Sequence, residues 1–95
     1  MYVGFMKVKI FFEGISSIKE RRRVLRMILD RARSGWNVSA AEEPSAEREL
    51  GVLAFVTVSD QRDVVEKRLD AIEEMVHGCH GFPVLEVSRE VDGPW

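Results

Sequence analysis

The chain has 95 residues, 45% of them hydrophobic and 32% charged, with 14 basic residues against 16 acidic ones and a formal net charge of −2. That length holds one small domain over 1–95 with a thin core, and the near-neutral balance excludes a globally basic nucleic-acid binder while leaving room for a local patch. One cysteine excludes an intrachain disulfide and a cysteine-only zinc site.

Residues 5–12 alternate as a strand, with Met6, Val8, Ile10 and Phe12 on one face and Lys7, Lys9 and Phe11 on the other. Ser17 opens a helix. Ser17-Ile18-Lys19-Glu20 fits a capping box, in which the hydroxyl takes an orphan backbone N–H and Glu20 reaches back. The helix should run to about Ser34, with Gly35 in a left-handed stop. Trp36, Val38 and Ala40 alternate as a second strand, and residues 42–46 around Pro44 form a polar turn. Arg48 to Val58 is the longest strand, with Leu50, Val52, Ala54, Val56 and Val58 on one face and Leu53, Phe55 and Thr57 on the other. Ser59 or Asp60 caps a second helix that ends near His77, with Gly78 as its stop. Pro83 to Val91 is the last strand, with Leu85, Val87 and Val91 on one side, and the tail from Asp92 to Trp95 is expected to be loose.

The order β-α-β-β-α-β predicts an α+β, ferredoxin-like βαββαβ sandwich, with two helices on one face of a four-stranded antiparallel sheet. The even-numbered residues of the first three strands are the richer apolar set and are expected to face the helices. Phe5, Lys7, Lys9, Phe11, Leu53, Phe55 and Thr57 are then expected on the open face. Aromatic and basic residues together suit base stacking by single-stranded RNA, but the ribonucleoprotein consensus hexamer and octamer are absent. A second subunit over Lys7, Lys9, Phe11, Leu53 and Phe55 is the favoured cover.

The first helix holds half of all the basic charge. At about 100° per residue, Ile18, Leu25, Ile28, Leu29 and Ala32 form the buried stripe, and Lys19, Arg22, Arg23, Arg26 and Arg33 gather on one flank. The second helix inverts this pattern. Val65, Leu69, Ile72 and Val76 are its buried stripe, and Asp63, Glu66, Asp70, Glu73 and Glu74 make an acidic strip. The two strips read either as simply solvated faces, with or without ion pairs across the helices, or, for the basic one, as a row of phosphate contacts.

His77-Gly78-Cys79-His80 offers three metal ligands in four residues, but structural zinc needs a second, separated pair that this chain lacks. No glycine-rich phosphate loop or nucleophile elbow occurs, and no carboxylate sits in an apolar run. No catalytic residue, metal, cofactor or small-molecule substrate is expected. Lys7 and Lys9 interrupt the apolar N-terminal stretch, and no run approaches the ~20 apolar residues that span a bilayer. The lone thiol suits a reducing compartment. The expectation is a soluble cytoplasmic protein with no membrane partner.

The string S-I-K-E-R-R-R-V-L-R at Ser17 to Arg26, with N-V-S-A-A-E at Asn37 to Glu42, resembles the signature of the YlxP-like family of small bacterial domains of unknown function. Val3-Gly4, Glu49-Leu50-Gly51-Val52 and Ser59-Asp60 agree in order and spacing, so the resemblance spans about residues 1–91. It implies a βαββαβ fold and no stated activity. Members are often encoded beside translation-initiation and ribosome-maturation genes, which implies a role near RNA or the ribosome. Members also often carry a longer, aromatic segment between the second and third strands, where this chain has the short acidic Glu43 to Arg48. The leading expectation is an accessory factor that contacts RNA or a ribosomal particle through the first helix. The alternative is a homodimerisation module that uses the open sheet face.

Overall fold

The protein, described by a computed structural model over residues 1–15 and 17–95, is built as β1 (Tyr2–Phe11), α1 (Ile18–Gly35), β2 (Ser39–Glu43), β3 (Leu50–Ser59), α2 (Arg62–Gly78) and β4 (Val84–Asp92). The strands form one antiparallel sheet in the order β2-β3-β1-β4. This is the ferredoxin-like α+β sandwich that the two sequence periods imply. α1 lies over β2 and β3, and α2 over β1, β3 and β4.

The core is the layer between the helices and one sheet face. Met6, Val8, Ile10 and Phe12 are fully buried there against Leu25 and Ile28 of α1 and Leu69 and Ile72 of α2. Two glycines let the helices approach the sheet. A Cβ on Gly4 would lie 2.5 Å from Val65 Cγ1, and one on Gly51 would lie 2.7 Å from the Phe12 ring and 2.9 Å from Leu25.

The expected parity holds for β1 and fails for β3. The ladder sets Met6 opposite Phe55 and Val8 opposite Leu53. Directly opposed residues in an antiparallel pair share a face, so Phe55 and Leu53 join Met6 and Val8 in the core, with no exposure at all. Thr57 goes with them and is 3% exposed, while Val56 and Val58 come out on the open side. Leu53 and Phe55 are therefore core residues and not interface residues. Phe5, Lys7, Lys9 and Phe11 lie on the open face as expected, because Lys7 pairs with Ala54 and Lys9 with Val52.

Smaller differences have local causes. Ile18 sits in the exposed first turn of α1, and Val24 takes its place in the buried stripe. Gly35 stays helical, and the chain turns extended at Trp36, whose N–H donates to the Ala32 carbonyl. Gln61 is the residue that precedes α2, with the Ser59 hydroxyl accepting from its N–H. A register shift beside Ile10 sets Val84 opposite Ile10 and turns Leu85 to solvent at 58% exposure. The tail is held, since Met1 N donates to the Trp95 carbonyl and Trp95 N to the Met1 carbonyl.

Candidate nucleic-acid interface

α1 begins where the sequence places its cap. Ser17 Oγ accepts from the Glu20 N–H at 3.2 Å, which satisfies one orphan donor of the first turn. The rotation of the helix about its axis is set by its apolar stripe and by Arg21, which points toward the sheet. Its side chain is only 13% exposed. Arg21 Nη1 donates to the carbonyls of Glu47, Arg48 and Leu50 at 3.2, 3.0 and 3.1 Å, and Nη2 lies 3.6 Å from the Glu42 carboxylate. This one guanidinium ties the β2–β3 connection to α1.

With Arg21 turned inward, its neighbours turn outward. Lys19, Arg22, Arg23 and Arg26 are all exposed. Among the described residues, none of the four has a carboxylate within 4.0 Å. Their side chains line an open trough together with Glu20, Met27, Asp30 and Arg31. Arg31 is also exposed and has no carboxylate within 4.0 Å among the described residues, a further charge beyond the expected strip. Arg22 and Arg26 also border a cleft of about 360 Å³ between α1 and the edge strand β2. Arg33, the fifth residue of the expected strip, is engaged in the fold. Its Nη2 donates to the Ala40 carbonyl at 2.6 Å, and Nη1 lies 3.7 Å from Asp30.

The acidic strip of α2 does not neutralise the basic one. Arg89 reaches up from β4 instead, with Nη1 2.6 Å from Asp70 and 3.5 Å from Glu73, and Nη2 3.5 Å from Glu66. Arg62 adds a contact to Glu66 and His77 one to Glu73. No ion pair among the described residues joins α1 to α2, so both strips are left facing solvent.

On the open sheet face the two lysines are engaged. Lys7 Nζ lies 2.9 Å from Glu43 and Lys9 Nζ 3.4 Å from Glu86. A base-stacking platform needs free cations beside its aromatic rings, and here carboxylates hold both.

The His77–Phe82 turn packs under the end of β1. The Phe82 ring lies 4.7 Å from Phe12 and stacks on His80 at 6.2 Å. His80 Nδ1 accepts from the Phe82 N–H at 3.1 Å. Burial, with a smaller push from His77, holds the His80 pKa below its usual 6.5. Burial also raises the Cys79 thiol above 9.0, which disfavours the thiolate that a nucleophile or metal ligand requires. Among the described residues no group of three or more His, Cys, Asp or Glu side chains is placed to hold a metal ion, and no helix is long and apolar enough to cross a membrane.

The family described as "Protein of unknown function (DUF503)" matches residues 3–89. The chain belongs to this family. No protein of curated function matches it. Solved structures similar to it include the de novo designed protein Foldit4, 16% identical over 99% of this chain and 98% of that one, with a TM-score of 0.58. The de novo designed protein LFR1 1 with ferredoxin fold is 14% identical over 99% of this chain and 88% of that one, at 0.57. Rv0793 from Mycobacterium tuberculosis is 14% identical over 100% of this chain and 96% of that one, at 0.56. At such identities these proteins share the fold with the present chain and nothing further is carried over.

Proposed function

We propose that this domain is a non-enzymatic cytoplasmic accessory factor that contacts RNA, free or in a ribosomal particle, through the outer face of α1. The observation that carries the reading is the exposure of Lys19, Arg22, Arg23 and Arg26 without a carboxylate partner among the described residues. A solvated helix face meant only for solubility mixes signs and forms pairs along the helix. Among the described residues Lys19, Arg22, Arg23 and Arg26 form no such pair, although Glu20 and Asp30 line the same trough and Asp30 pairs with Arg33. From Lys19 to Arg26 the helix rises about 10 Å, so the four charges form one short continuous strip. Three of the four side chains are arginines, whose planar fork suits two-point contacts to phosphate oxygens. The resemblance of Ser17 to Arg26 and Asn37 to Glu42 to the YlxP-like signature is the finer family reading, and it points the same way. The reading calls for no cofactor and no small-molecule substrate. It is tested by anisotropy of a labelled single-stranded RNA titrated with the full chain at low salt. Binding that weakens steeply as salt is raised is expected, and no binding at low salt overturns the reading.

A further inference from the structure

The cleft between α1 and β2 is lined by Arg22, Arg26, Leu29, Arg33 and Glu42, and its volume of about 360 Å³ is at the low end for a small-ligand site. β2 is an edge strand, and the ladder fixes which of its backbone groups are free. Phe12 N donates to the Glu49 carbonyl. In that phase the odd-numbered residues of β3 direct their backbone groups to β1. The even-numbered ones direct theirs to β2, where Val56, Ala54 and Val52 meet Ser39, Ala41 and Glu43. Ala40 and Glu42 therefore point theirs to the free edge. Arg33 takes the Ala40 carbonyl at 2.6 Å, and the Glu42 N–H is left as a donor beside the arginines.

We infer that this cleft seats a terminal phosphomonoester of an RNA strand. The inference rests on the RNA reading and names the chemical group that one flank of the basic strip recognises. Charge selects the group. Arg21 faces Glu42 at 3.6 Å and Arg33 faces Asp30 at 3.7 Å, while Glu43 lies on the other sheet face, held by Lys7. Arg22 and Arg26 have no carboxylate within 4.0 Å among the described residues, so the cleft keeps two uncompensated positive charges. A terminal monoester carries close to two negative charges at neutral pH, and an internal diester carries one. Spacing selects it as well. Arg22 and Arg26 stand one helical turn apart, about 6 Å along the axis, so both forks can close on a single phosphate. A monoester presents three oxygens to them and to the Glu42 N–H, where a diester presents only its two unbridged ones.

Anisotropy of the full chain with three labelled RNAs of one sequence tests this. One has hydroxyls at both ends, one a 5′-phosphate and one a 3′-phosphate. A terminal phosphate should tighten binding by about tenfold, and the end at which it does so identifies the source of the group. Arg26→Gln should erase that preference. Arg23→Gln, which lies outside the cleft, should weaken all three RNAs alike and keep it. Both side chains are exposed, so the far-UV circular dichroism should not change. Equal affinity for the three RNAs overturns the inference and leaves the RNA reading standing. A preference that survives Arg26→Gln also overturns it, because the terminal phosphate is then held elsewhere. No binding of any of the three at low salt overturns both.

Discussion

Met6 and Phe55 face each other across β1 and β3, both fully buried under the helices. Their pairing joins an even-numbered residue to an odd-numbered one. Every position of β3 is thereby assigned to a face, and the Phe55 ring, expected at an interface, belongs to the core. Phe55→Ala should therefore destabilise the domain by about 3–5 kcal/mol, through lost burial and the cavity left behind. Val56→Ala, one residue on and 39% exposed, should cost much less. Urea denaturation of the two variants checks the assignment, and equal losses would contradict it.

The basic strip predicts a specific salt dependence. Four contacts to single-stranded RNA give a slope of log affinity against log salt of roughly −3. Removing Arg22 and Arg23 together should flatten that slope by about 1.4 and leave the unfolding midpoint unchanged, since both side chains are exposed. Anisotropy titrations at several salt concentrations measure both quantities.

Arg21 should behave in the opposite way to its neighbours. Its guanidinium satisfies the carbonyls of Glu47, Arg48 and Leu50 and is largely buried. Arg21→Ala should lower stability by about 2 kcal/mol, because hydrogen bonds from a charged donor are lost and carbonyls are left unpaired. Arg21→Lys should recover only part of this loss, since an ammonium cannot reproduce the fork. Slope and stability thus separate the two kinds of arginine along one helix. An Arg21→Ala variant with wild-type stability would show that the β2–β3 connection is held by other contacts.

His80 couples stability to pH. Its pKa is lowered on folding, chiefly by burial, so at mildly acidic pH the unfolded chain binds more protons than the folded one. The stabilisation from the neutral ring is complete above the unfolded value of about 6.5 and is lost as pH falls from there through the folded value. His80→Gln should weaken this part of the acid sensitivity, as read by thermal unfolding between pH 7 and about pH 5. An unchanged pH profile would place the coupling elsewhere.

Much of the fold was legible in the sequence because helix and strand periods are local. Apolar spacing set the order of all six elements, the Ser17 cap set the start of α1, and rotation by residue number placed Lys19, Arg22, Arg23 and Arg26 on one flank. The orientation of β3 was not legible, because a strand that is apolar on both faces has no pattern to choose between them. Gly51 was the one cue, a residue without a side chain where Leu25 and Phe12 press closest. The pairing of charges was equally out of reach. Lys7 with Glu43, Lys9 with Glu86 and Arg89 with Asp70 join residues far apart in the chain, and they meet only once strand register and helix placement are fixed. Sequence alone could show that α1 is basic along one flank. Only the tertiary structure decided that Lys19, Arg22, Arg23, Arg26 and Arg31 have no carboxylate partner among the described residues while Arg21 and Arg33 bind the fold, because that depends on which carbonyls and carboxylates the long-range pairing of strands brings beneath them.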